Sequence, residues 1–177
     1  MLAAEARVPV RAATARKMTA LVGLRGCWIV DDTGFPKQGK HSVGVARQYC
    51  PPLGKRANCQ IGVSVSYATE RGAMPLDWRL YLPEEWLADP VRRAKVGIPS
   101  QLTFQPKWQL ALQLMEELRA WGLPPPEVTV TDAAYGSNTA FRQGLSERGQ
   151  RYVVEVESSL VAWVQPQQRD APARQPG

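Results

Sequence analysis

Between residues 27 and 69 the apolar positions follow strand patterns. CWIVD (27–31) is a short continuous apolar run that ends in acid. SVGVARQY (42–49) and CQIGVSVSYAT (59–69) alternate in part and are rich in β-branched residues, the mark of half-buried strands. CPPLGKRAN (50–58) lies between them with Pro, Gly and Asn, which predicts a turn joining consecutive antiparallel strands. WRLYLP (78–83) reads as a further strand.

The period then changes. Asp89-Pro90 has the form of a helix start, an N-cap acid followed by proline in the first turn. From Pro106, Trp108, Ala111, Leu112, Met115 and Leu118 recur at helical spacing until Gly122 and Pro124–Pro126 stop the helix. That stripe is a core face. EVTVTD (127–132) is a strand that again ends in acid. SNTAFRQGLSERG (137–149) predicts a helix with Phe141 and Leu145 turned inward, and RYVVEVE (151–157) a last strand. Three strands followed by helix, strand, helix, strand define a mixed α/β order without internal repeats.

Length and charge narrow this picture. A chain of 177 residues, 44% hydrophobic and 21% charged, suits one domain with a sizeable core, placed here at residues 23–164. The first 22 residues hold Arg7, Arg11, Arg16 and Lys17 against Glu5 and lack the apolar stretch of a secretory signal; they read as a basic N-terminal arm. Residues 165–177 are rich in Pro, Gln and Arg, too polar to bury much, and are expected to be a disordered tail. The net charge of +6 favours a polyanion, nucleic acid first. Three cysteines without a Cys-x-x-Cys pair and a single histidine, His41, argue against a disulfide framework or structural zinc and fit a reducing cytoplasm. No apolar run approaches the roughly 20 residues of a membrane span.

Two familiar motifs fail on inspection. Gly34, Gly39 and Lys40 fit the start of a phosphate-cradling loop, but His41 stands where Ser or Thr would ligate magnesium, and a strand pattern follows instead of a helix. GVSVS (62–66) lacks the closing glycine of a nucleophile elbow. The strands ending at Asp31 and Asp132 are more informative. Side by side and parallel, about 4.8 Å apart, they would bring both carboxylates to a common pair of divalent ions separated by roughly 3.5–4 Å. Oxygen ligands suit Mg²⁺ or Mn²⁺, and a metal would relieve the repulsion between adjacent Asp31 and Asp32. The plainer alternative is that Asp132 is a turn or cap residue, and the residues alone leave both readings open.

VDDTGFPKQGKHSVGVARQY, LGKRANCQIGVSV, WRLYLPEEW, TDAAYG and RYVVEV, in that order, resemble the insertion-sequence transposases of the DDE endonuclease superfamily. The resemblance spans about residues 23–157. It implies an RNase H-like fold: a mixed five-stranded sheet with helices on both faces. It places the family's first acid on Asp31, with Asp32 as the neighbouring acid and further metal ligand. The second acid falls on Asp132, within an Asp-x-x-Tyr-Gly pattern completed by Tyr135 and Gly136. The implied chemistry is cleavage and joining of DNA at transposon ends and target, with two Mg²⁺ or Mn²⁺ ions, in the bacterial cytoplasm at the nucleoid. Lys37, Lys40, His41, Arg47, Lys55 and Arg56 are candidate phosphate contacts, whereas Trp86 is expected in the core. The family's third acid is a glutamate on a helix after the fifth strand, and Glu147, Glu155 and Glu157 do not match it. The expectation is therefore a truncated catalytic domain, incomplete at its C-terminal end and without the third acidic ligand. Such a chain either retains part of the transposase activity or serves as an inactive DNA-binding partner of full-length transposase that regulates transposition.

Overall fold

The computed structural model describes residues 7–23 and 25–162. Helix α1 (Arg7–Val22) leads into β1 (Cys27–Pro36), β2 (Ala46–Cys50), a 3₁₀ turn (Pro51–Leu53), β3 (Lys55–Thr69) and β4 (Gly72–Leu80). Two short helices follow, α2 (Glu84–Ala88) and α3 (Pro90–Val96), then the longer α4 (Lys107–Ala120). The chain continues through β5 (Val128–Thr131), the single turn α5 (Ala133–Gly136), α6 (Thr139–Glu147) and β6 (Tyr152–Val154). The residues expected for the disordered tail lie outside those described.

The sheet is mixed and six-stranded, with β1 at its centre. β3 runs antiparallel to β1 on one side, while β5 and then β6 run parallel to it on the other. β2 and β4 lie end to end along the far edge of β3: Cys59 pairs with both Pro36 and Ala46, and Val63 with both Asp32 and Arg79. This is the RNase H-like arrangement, with β2 added to the five expected strands. β2 folds back on β3 because Pro51 and Pro52 shape the 3₁₀ turn and Gly54 closes it in the left-handed region, φ 59°.

Several strand boundaries differ from expectation; β6, for one, ends at Val154 rather than Glu157. β1 does not stop at Asp31 but continues to Pro36, because Thr33, Gly34 and Phe35 keep ladder partners at Gly62, Ile61 and Gln60. The acids therefore sit within the strand. β2 is shorter than the SVGVARQY pattern, since the amide of Val45 turns back to the carbonyl of Ser42 at 3.0 Å. β4 begins at Gly72, well before Trp78; Pro75 sits opposite a register shift at Val65/Ser66, and this bulge on an edge strand disrupts the alternation.

Alternation gives the sheet a core face and an opposite face. Trp28, Val30, Val63, Val65, Tyr67, Thr129 and Thr131 are buried on the first. Against it pack Ala111, Leu114, Met115 and Leu118 of α4, Phe141 and Leu145 of α6, and Ala15 and Val22 of α1. Full burial of one such large side chain contributes about 1.5–3 kcal/mol. The helices expected on both faces thus meet this one: α1, α4 and α6 all feed the same core.

The N-terminal segment is part of that packing. Ala12 and Ala15 are buried, Arg11 forms an ion pair with Asp77 of β4, and Arg16 donates to the carbonyl of Trp121 at 3.0 Å. The expected cap is present, Asp89 accepting from the amide of Arg92 at 2.9 Å, and Asn138 adds another, accepting from that of Phe141 at 2.9 Å.

Candidate active site

The parallel pairing of β1 with β5 aligns Val30 with Thr131, and the Thr131 hydroxyl donates to the Val30 carbonyl at 3.0 Å. The next residue on each strand is an aspartate. Val30 and Thr131 face the core; Asp31 follows on β1 with its side chain on the opposite face, and Asp132, the first residue past β5, begins about one strand spacing (about 4.8 Å) away. The carboxyl of Asp31 is pushed above the ordinary carboxylate range, chiefly by partial burial. The negative charges of Asp132 and Asp32 add to this, and the Asp32 amide, donating to Asp31 Oδ1 at 2.7 Å, opposes it. Asp132 also caps α5, accepting from the Ala134 amide at 3.1 Å. The plainer reading of Asp132 as a cap residue is therefore correct, and it is compatible with a metal-binding role.

Asp32 does not join them. Its side chain, 10% exposed, turns to the core face, where Oδ2 pairs with Lys107 at the start of α4 and Oδ1 accepts from the hydroxyl of Tyr135 in α5. Tyr135 is 2% exposed. Its phenol is raised far above the usual range, first by burial and then by the Asp32 charge and hydrogen bond, so it remains a proton donor. Adjacent acids are tolerated because they lie on opposite faces, one of them matched by a lysine. Lys107 gave no sequence signal. The parity of Asp32 with Trp28 and Val30 carries its direction, because β1 continues past Asp31.

Glu155 is the register neighbour of Asp132 on its other side, its amide donating to the Thr131 carbonyl at 3.0 Å. Even so, among the described residues no three acidic, histidine or cysteine side chains gather into a metal-ligating group. Glu157 is exposed and Glu147 closes α6. Gly136 has a packing reason: a Cβ there would lie 1.9 Å from the carbonyl oxygen of Glu155.

The basic candidates lie farther away. Lys37, Lys40 and His41 are exposed in the loop after β1, which Asn58 holds by donating to the carbonyls of Lys37 at 2.9 Å and Gly39 at 2.8 Å. Arg47 pairs with Asn58 and Tyr49 with Arg56, which puts Arg47 and Arg56 on the face of Asp31, while Lys55, opposite buried Cys50, takes the other. Asn58 precedes Ser64, the partner of Asp31, by enough residues of β3 to set Arg47 about 20 Å from the acidic pair. Trp86 is buried as expected, its indole N–H donating to the Val45 carbonyl at 2.8 Å.

Among the described residues no helix is long and apolar enough to cross a membrane. In comparison with known proteins, the chain is 28% identical over 141 residues to a probable transposase for insertion sequence element IS701 from Microchaete diplosiphon. That match covers 79% of this chain and 34% of the relative, so the chain spans about a third of the relative's length. The family described as DDE superfamily endonuclease matches residues 5–177. With that match running from α1 onward and the two motif aspartates side by side on an RNase H-like sheet, the chain belongs to the DDE superfamily endonuclease family.

Proposed function

We propose that the chain carries the DNA-cleaving and strand-transferring centre of an insertion-sequence transposase, with Asp31 and Asp132 as its first two acidic ligands. The adjacency of these residues across the β1–β5 pair carries the reading. Their carboxylates fit a hard divalent cation such as Mg²⁺ or Mn²⁺: both oxygen donors share one rim, and Asp31 is held in a state that nearby positive charge would relieve. Such ions, when bound, activate the attacking oxygen and offset charge at the phosphorus centre. The chain's own groups orient the ligands. The Asp32 amide fixes Asp31 Oδ1, and the Ala134 amide fixes an oxygen of Asp132. Asp32 acts from the other face as a positioning residue through Lys107 and Tyr135. Lys37, Lys40, His41, Arg47 and Arg56 supply phosphate contacts to transposon-end and target DNA, the main source of sequence-independent affinity, and Lys55, on the other face of β3, is set apart from them.

A second reading is a DNA-binding chain that pairs with a complete transposase and restrains it. The acidic set of two among the described residues favours it. Nicking of supercoiled DNA in Mn²⁺ separates the two. The first reading expects nicking that Asp31→Asn and Asp132→Asn abolish. Salt-dependent DNA binding without nicking selects the second, and neither activity refutes both.

A further inference from the structure

The face that bears Asp31 also bears an exposed aromatic pair that core packing does not use. Trp78 of β4 pairs with Ser64, and Ser64 with Asp31, so the three form one row across the sheet. Phe35 lies farther along β1 on the same face, and its ring centroid is 5.8 Å from that of Trp78, with the planes tilted by 34°. The rings rest on Gly62, where a Cβ would meet Trp78 at 3.1 Å and Phe35 at 3.3 Å. The missing side chain lets both aromatics lie against the sheet. Phe35 and Trp78 nevertheless remain 36% and 51% exposed, lining a shallow pocket of about 250 Å³ whose other walls include Gln60 and Leu80 and no acid. Beyond it on the same face lie exposed Tyr49, opposite Arg56, and Arg47.

We propose that this face is a track for an unpaired DNA strand, with a base flanking the cleaved phosphate stacked on Phe35 and Trp78. Tyr49 offers a second stacking surface, and Arg47 and Arg56 hold phosphates farther along. The proposal rests on the transposase reading above and specifies which form of DNA the site takes. Its spacing is suitable: Trp78 stands two strands, about 10 Å, from Asp31, with the arginines about 20 Å away. Aromatic platforms interleaved with cations bind single strands because unpaired bases expose their π faces, whereas duplex bases are covered by their neighbours. A protein partner is the other conceivable occupant. The run from an acidic pair through acid-free aromatic walls to arginines matches a polyanion bearing flat rings.

The test uses the full chain in EDTA, which removes metal-dependent chemistry. Fluorescence anisotropy compares an oligothymidylate of about ten nucleotides, an equally long abasic strand and a duplex. The thymidylate should bind about tenfold or more tighter than the abasic strand. Trp78→Ala should weaken thymidylate binding about fivefold to a hundredfold and erase that difference, while Trp78→Phe retains most of it. Arg47→Ala should weaken both strands alike and flatten the salt dependence. Equal binding of thymidylate and abasic strand, or unchanged affinity in Trp78→Ala, overturns the proposal. So does a dimer that Trp78→Ala dissociates while base preference is absent, which would assign the patch to contact between chains. Nicking by the wild type is read separately: its absence would sink the cleavage reading while leaving base-dependent binding intact.

Discussion

Thr131 and Val30 are joined by a side-chain hydrogen bond of 3.0 Å across parallel strands, and each is followed by an aspartate. The adjacency of Asp31 and Asp132 is thus a consequence of strand register. It brings two negative charges together on a half-open face.

The raised carboxyl of Asp31 has a definite pH signature. The folded chain binds this proton more tightly than the unfolded one, so ionisation lowers stability as pH rises from the ordinary carboxylate range through the raised value. Metal-free Asp31→Asn should therefore melt at a higher temperature than the wild type at neutral pH, with the gap closing toward acid. Mn²⁺ should raise the melting temperature of the wild type only. Thermal unfolding in EDTA and in Mn²⁺ reads both effects, and a lower melting temperature for the variant in EDTA would contradict the first.

Asp32 should behave differently from its neighbour. Lys107→Met leaves a nearly buried carboxylate with one partner fewer and should cost about 2–4 kcal/mol, and Tyr135→Phe about 1–3 kcal/mol. Urea unfolding measures both. Asp32→Asn should lower stability yet keep the Mn²⁺-dependent rise in melting temperature; loss of that rise would make Asp32 a ligand after all.

Arg11→Ala tests whether α1 belongs to the domain. Asp77 has a side chain only 5% exposed and would be left without its main partner, for a cost of about 3 kcal/mol. Cleavage within residues 7–22 under limited proteolysis should accelerate, and an unchanged rate would mean that the helix packs without this pair.

Gly136→Ala should be severe for so small a change. Its Cβ would fall 1.9 Å from the Glu155 carbonyl oxygen, so α5 and β6 must part, at about 3 kcal/mol or more. Circular dichroism during urea unfolding would register this, and near-wild-type stability would show that the strand end yields easily.

The sequence by itself determined much of this protein. Helical spacing from Trp108 to Leu118 specified the packed face of α4, partial alternation marked β3 as a half-buried strand, and Asp89 marked a helix start that its side chain does cap. These are local effects, written in the period of a single element. Only the tertiary structure decided that β1 runs on through its acids, because β3 supplies ladder partners as far as Pro36. It likewise decided that Asp32 turns away from Asp31 to meet Lys107 and Tyr135, residues distant along the chain, and that Trp78 and Phe35 meet over Gly62. Each of these depends on register between separate strands or helices, and register is set by the packing of the whole sheet rather than by any one segment.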